Sequence, residues 1–79
     1  MFDGTQLILT EDEIIDRAYR AMEECMTSLR NGSKKYAARS RGEAAMWEFT
    51  IYFNFGREDD SWKTARWYEM EQAADAANL

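Results

Sequence analysis

The first predicted helix carries a row of side chains whose types and spacing could mimic a nucleic-acid strand. The row consists of Asp12, Asp16, Tyr19 and Glu23. Steps of four, three and four residues place these side chains on one line of a helix. Neighbours four residues apart lie about 5–6 Å from each other, close to the spacing of phosphates along a nucleic-acid strand. Carboxylates in such a row could bind a basic groove, although an ordinary solvated helix face has the same composition.

A second acidic patch follows Gly56 and consists of Glu58, Asp59 and Asp60. This patch lacks the alternating spacing and the later glutamate of an EF-hand loop, so we predict no metal site there. Tyr52 is predicted to point away from the core, and tyrosine is favoured at interface hot spots; alternatively, a second layer of the fold covers it. The predicted partner-binding residues are Asp12, Asp16, Tyr19, Glu23, Glu58, Asp59, Asp60 and Tyr52.

Residue types that commonly carry catalysis are scarce. The chain has no histidine, so the side chain best suited to move protons near neutral pH is missing. The single cysteine, Cys25, falls on the predicted buried stripe of the first helix, as an ordinary core residue would. No glycine-rich phosphate loop is present. We therefore predict no enzymatic activity, no catalytic residue and no cofactor.

A basic segment between residues 30 and 41 supports a rival prediction. It contains five basic residues and no acidic one, with Tyr36 among them, namely Arg30, Lys34, Lys35, Arg39 and Arg41. Cations with an interleaved aromatic ring can bind nucleic acid through phosphate contacts and base stacking. Because the whole chain has a net charge of −5, we favour an edge strand kept unpaired by its charges over direct nucleic-acid binding.

The elements that would position these residues begin with a clear helix. Thr10 and Glu13 have the spacing of a capping box, and Leu9 and Ile14 that of a hydrophobic staple. The pair Asn31-Gly32 supplies a left-handed stop. Steps of three and four residues predict a buried stripe. The stripe consists of Ile15, Ala18, Met22, Cys25 and Leu29.

The segment Trp47–Phe55 alternates without a break between large apolar and polar or amphipathic residues. This period of two predicts a strand with one buried face. The predicted core residues of the strand are Trp47, Phe49, Ile51, Phe53 and Phe55. Further strands are predicted over Gln6–Leu9, at an edge, and over Lys34–Ser40, with a turn at Arg41-Gly42 leading into a main strand Ala45–Phe55.

The last segment is predicted to be a helix over most of residues 61–77. Ser61 would cap this helix, and Trp67, Met70, Ala74 and Ala77 would form its buried stripe, with Ala73 beside them. Alternatively, Trp62–Tyr68 is a strand and a shorter helix begins near Glu69. The predicted fold is α+β, in the order (β)-α-β-β-α, with helices packed on one face of a small antiparallel sheet.

Length and composition predict one small domain over residues 1–79, with no membrane span and a lone thiol suited to a reducing, cytoplasmic compartment. In its size, acidity, compact predicted fold and lack of catalytic motifs, the chain resembles the phage-encoded inhibitors of host defence, including anti-CRISPR proteins. The resemblance implies an inhibitor acting in the host cytoplasm on a basic, nucleic-acid-binding surface of a partner such as a CRISPR effector subunit. The alternatives are a small nucleic-acid-binding or regulatory module using the basic segment, and a homodimeric structural protein.

Overall fold

A computed structural model describes residues 9–56 and 59–79 as three helices. These are α1 (Glu11–Arg30), α2 (Lys34–Phe55) and α3 (Ala65–Ala76). The described ranges contain no strand, so the predicted α+β fold with an antiparallel sheet is wrong. Residues 6–8 of the predicted edge strand and Glu58 of the second acidic patch lie outside the described residues.

The predicted boundaries of the first helix are confirmed in α1. The Oγ1 atom of Thr10 accepts a hydrogen bond from the backbone N–H of Glu13 at 3.2 Å, as an N-cap residue does. At the other end, Gly32 has a φ of +76°, which costs glycine little because it has no Cβ. The N–H of Ser33 reaches the carbonyl of Ser28 at 2.8 Å, and that of Gly32 reaches Leu29 at 3.0 Å. These two bonds form a Schellman motif.

Both predicted inner strands, Lys34–Ser40 and Ala45–Phe55, belong to the single helix α2, and the predicted turn Arg41-Gly42 lies within it. A rotation of about 100° per residue explains the error. It places Trp47, Ile51 and Phe55 on one side of a helix and sends Phe49 and Phe53 to the opposite side. An alternating apolar pattern therefore also describes a helix that is apolar on two faces.

The core forms where α1 packs on α2 across a three-residue connection, as in an αα-hairpin. Alanines at the contact let the two helices approach closely. The fully buried or nearly buried residues are Ile14, Ala18, Ala21, Met22, Cys25, Ala37, Ala44, Ile51, Trp62, Trp67, Met70 and Ala74. Of the five core residues predicted from the alternating segment, Ile51 is buried and Trp47 is half-buried, while the three phenylalanines are exposed.

The third helix begins later than predicted, with Thr64 rather than Ser61 at its N-cap position. Ser61 instead forms a turn in which its N–H and its hydroxyl donate to Asp59 at 3.1 and 2.7 Å. Of the predicted stripe, Trp67, Met70 and Ala74 are confirmed as buried, while Ala77 is half-buried at the C-cap position and Ala73 is exposed. Because α3 contacts mainly α1, the outer face of α2 has no neighbouring element among the described residues.

Candidate functional site

An acidic groove runs between α1 and α2. It is lined by Asp12, Glu13, Asp16, Arg17, Arg20, Ala21, Glu24, Glu43 and Trp47. We call this surface the acidic groove. Its five carboxylates face only two guanidinium groups, so the lining carries three negative charges in excess. The groove rests on two helices that are packed against each other, which fixes the carboxylates on a rigid support.

The two arginines of the acidic groove are already engaged. Arg20 forms an ion pair with Asp16, with 2.8 Å between Nε and Oδ2. The guanidinium of Arg17 lies over the ring of Trp47, 5.6 Å from its centroid, in a cation–π contact. Four groove carboxylates, those of Asp12, Glu13, Glu24 and Glu43, form no ion pair with a described residue; Glu13 accepts a hydrogen bond from the hydroxyl of Thr10 at 3.2 Å.

The structure brings together only part of the predicted acidic row. Asp12 and Asp16 line the acidic groove. Glu23 lies to one side and forms an ion pair with Arg66 of α3, at 3.2 Å. Tyr19 is half-buried and faces α3 rather than the groove. The four residues of the predicted row therefore do not form one surface. Asp12 and Asp16 line the acidic groove, whereas Tyr19 and Glu23 contact the region of α3.

Tyr19 connects α1 to the start of α3. Its hydroxyl donates to the carbonyl of Trp62 at 3.1 Å and accepts from the N–H of Thr64 at 2.8 Å. Its ring makes edge-on contacts with Trp62 and Trp67, at centroid distances of 6.3 and 5.1 Å. The sequence pattern placed Tyr19 on a binding surface, but these contacts are those of a residue that holds the fold together.

The second predicted patch belongs to a network that joins the end of α2 to the loop before α3. The Tyr52 hydroxyl donates to the carboxylate of Asp60. The ammonium of Lys63 lies 2.7 Å from Glu48 and 3.6 Å from Asp60. Asp59 accepts the two bonds from Ser61 described above. Asp59 and Asp60 of this patch are exposed to solvent, but both accept hydrogen bonds from side chains of their own chain.

Two side chains of this network, Tyr52 and Lys63, have shifted pKa values. Burial, together with the bond to Asp60, raises the pKa of the Tyr52 hydroxyl. Burial would lower the pKa of Lys63, but the hydrogen bond and charge of Glu48, with a contribution from Tyr52, outweigh it and raise the pKa. Lys63 is therefore an ammonium at neutral pH, and its contacts are those of a structural cation.

Cys25 is fully buried between α1, α2 and α3. Burial raises the pKa of its thiol, and the nearby charge of Arg41 opposes this shift only in part. A neutral thiol is a poor nucleophile, since the thiolate is the reactive form. No group of three or more metal-ligating residues in the described ranges could hold a metal ion.

The basic segment is divided between two environments. Lys34, Lys35 and Arg39 are exposed on the first turns of α2 and form no ion pair with a described residue. Arg41 points the other way and lies 3.7 Å from Glu71 of α3. Arg30 donates to Thr27 within α1. The five cations thus do not form one continuous patch.

Sequence reasoning missed Glu13, Glu24, Glu43 and Trp47 as parts of the groove. Glu43 and Trp47 are brought beside α1 only because α2 is a helix, and the sequence pattern had predicted a turn and a strand there. The alanines of α2 at positions 37 and 44, spaced seven residues apart, were the signal that could have revealed the helix.

Comparisons with protein-family models, with curated proteins and with solved structures find no significant match to this chain. Within the described residues, no helix is both long and apolar enough to cross a membrane.

Proposed function

We propose that this protein is a non-catalytic inhibitor that binds the basic, nucleic-acid-binding surface of a partner protein through the acidic groove. The observation that supports this proposal is the excess of three negative charges in a groove formed by two packed helices. A rigid row of carboxylates loses little conformational freedom on binding, so more of its electrostatic attraction appears as affinity.

Arginine-rich surfaces suit the chemistry of this groove. The unpaired carboxylates of Asp12, Glu24 and Glu43 can each accept bidentate hydrogen bonds from a guanidinium group. Trp47 lies beside them in the groove, and the guanidinium of Arg17 already packs over its ring. A partner arginine or lysine would therefore meet both charge and apolar contact in the groove.

The partner class that we propose is a nucleic-acid-guided defence complex, such as a CRISPR effector, as the resemblance to anti-CRISPR proteins implies. The inhibitor would occupy the basic channel that otherwise holds a nucleic-acid backbone, and so would act in a one-to-one ratio. Because the attraction is electrostatic, inhibition would weaken as the salt concentration rises.

A matched pair of charge-reversal variants tests this proposal. An arginine-rich peptide, labelled for fluorescence anisotropy, serves as the basic probe, and a duplex DNA serves as its competitor. The groove variant carries Glu24→Lys and Glu43→Lys. The control carries Glu69→Lys and Asp75→Lys on α3, which change the net charge equally but lie outside the groove.

We expect the groove variant to bind the peptide at least tenfold more weakly than the wild type, and the control to lose much less affinity. Duplex DNA should displace the wild-type protein from the peptide, since both would occupy the same cationic groups. Equal losses in the two variants would show a nonspecific response to net charge and would contradict the proposal.

The second candidate function is nucleic-acid binding by the exposed start of α2. It is supported by Lys34, Lys35 and Arg39, which form no ion pair with a described residue, and by the exposed ring of Tyr36. In a gel-shift assay, Lys34→Glu with Lys35→Glu would abolish binding to single-stranded DNA under this alternative. Under the proposed inhibitor function, the same double variant would leave peptide binding intact.

A further inference from the structure

A second groove continues the acidic groove toward the C-terminal end of α1. The two grooves share Arg20, Glu24 and Glu43. Beyond these shared residues, the second groove is lined by Glu23, Thr27, Ser28, Tyr36, Arg39 and Ser40. We call this surface the mixed groove. Because α1 and α2 pack side by side, the two grooves form one continuous trough along the line where the helices meet.

The charge of this trough changes along its length. Glu24 and Glu43, where the two grooves meet, form no ion pair with a described residue. The remaining carboxylate of the mixed groove, that of Glu23, is paired with Arg66 of α3. Arg39 is exposed and forms no ion pair with a described residue. Among the described residues, the mixed groove therefore adds a single unpaired cation to an otherwise acidic trough.

The surroundings of Arg39 suit a carboxylate ligand. Tyr36 lies one turn before both Arg39 and Ser40 on α2, so the three side chains are neighbours. The guanidinium and the two hydroxyls can all donate hydrogen bonds to a carboxylate. The ring of Tyr36 is 59% exposed and offers apolar contact beside them. Because the carboxylates of Glu24 and Glu43 lie in the same trough, a doubly charged phosphate would be repelled more strongly than a singly charged carboxylate.

We infer that the trough binds a partner segment in which basic residues are followed by an acidic one. The basic side chains would lie in the acidic groove, and the acidic side chain would bind Arg39. This inference rests on the proposed function and deepens it, because it assigns the chemistry of the segment that the partner contributes. A segment with basic residues alone would place a cation against Arg39, and such a repulsive contact gives specificity between partners.

The spacing of the two charges along α2 predicts the spacing in the partner. Glu43 and Arg39 are four residues apart, which corresponds to about 6 Å along the helix axis. In an extended segment, side chains two residues apart point to the same side and lie about 6–7 Å from each other. The acidic residue of an extended partner segment should therefore follow the last basic residue by two positions.

Two labelled peptides that differ in one residue test this inference. Both contain a run of arginines followed by a glycine, and both have an amidated C-terminus. The residue after the glycine is aspartate in one peptide and asparagine, which has a similar shape but no charge, in the other. The net charge of −5 by itself predicts weaker binding of the aspartate peptide. In fluorescence anisotropy we expect the opposite, with the aspartate peptide binding about threefold more tightly, as an exposed ion pair would give.

A matched pair of variants locates this preference. Arg39→Glu should reverse it, so that the asparagine peptide binds more tightly. The control is Lys35→Glu, which makes the same change of charge on α2 but lies outside both grooves; it should keep the preference for aspartate. Both positions are exposed, so both variants should remain folded. A preference that Lys35→Glu removes as completely as Arg39→Glu would overturn the inference.

The binding of the two peptides to the wild-type protein separates this inference from the proposed function. If both peptides bind and the aspartate peptide is not preferred, the assignment of Arg39 is wrong and the acidic groove remains a binding site for cations. If neither peptide binds, the proposed function is contradicted, and the inference fails with it.

Discussion

The inner and outer faces of α2 are both apolar, but only one of them is buried by the chain itself. The inner face consists mainly of small side chains, such as Ala37 and Ala44, and these are fully buried against α1. The outer face has the larger side chains, Phe49 and Phe53, and these are exposed. Hydrophobic size therefore does not decide which face enters the core; the close approach of α1 and α2 favours alanine at the contact.

The largest expected difference in stability is between substitutions on the inner and the outer face of α2. Ile51→Ala removes a fully buried side chain from the inner face and should lower the free energy of unfolding by about 2–5 kcal/mol. Phe53→Ala removes a larger but mostly exposed side chain and should change the free energy of unfolding by less than about 0.5 kcal/mol. Chemical denaturation measures both. Equal losses of unfolding free energy in the two variants would contradict the burial of Ile51 and the exposure of Phe53.

The contrast between α1 and α2 explains how much of the fold the sequence could predict. In α1 a single apolar stripe with a capping threonine and a terminal glycine has one interpretation, and its boundaries were predicted correctly. In α2 the two apolar faces produce an alternation that a strand would also show. Gly42 beside a basic residue also has the composition of a turn, and nothing local marks it as the middle of a helix.

The next largest effect concerns the attachment of α3 to α1. Tyr19→Phe keeps the ring among the tryptophans but removes the hydroxyl that bonds to Trp62 and Thr64. The N–H of Thr64 then loses its partner, and we expect a cost of about 2 kcal/mol in unfolding free energy. Near-ultraviolet circular dichroism should retain its tryptophan signal. A variant as stable as the wild type would show that this hydroxyl does not hold α3 in place.

A smaller effect is expected from Lys63→Met. The change removes an ammonium that lies between Glu48 and Asp60, but both carboxylates reach solvent, so the expected cost at pH 7 is about 1–2 kcal/mol, below that of a fully buried pair.

The stabilisation that Lys63 and Tyr52 contribute should decrease at high pH. The folded state raises the pKa of Lys63 and that of Tyr52, so it binds these protons more tightly than the unfolded chain does. Their contribution is fully present below the unfolded values near 10 and is lost as the pH rises above them. Wild-type stability should therefore fall above about pH 10, and Lys63→Met should reduce this slope. An equal slope in both proteins would contradict the assignment.

The candidate site was predictable only where it depends on a single helix. Asp12 and Asp16 come from α1 and were found from their spacing. Tyr19 follows the same spacing, but its contacts with α3 are long-range and cannot be seen in a local pattern. Glu43 enters the groove from a segment whose secondary structure was predicted wrongly, so no argument from spacing could have placed it there.

Backbone NMR of residues 34–55 measures whether α2 is one continuous helix, and its two apolar faces exist only if it is. We expect positive ¹³Cα secondary shifts without interruption from Lys34 to Phe55, including Arg41-Gly42, and sequential amide contacts throughout. Negative shifts over Trp47–Phe55, with cross-strand contacts to another segment, would contradict it and would restore a sheet with the phenylalanines in its core.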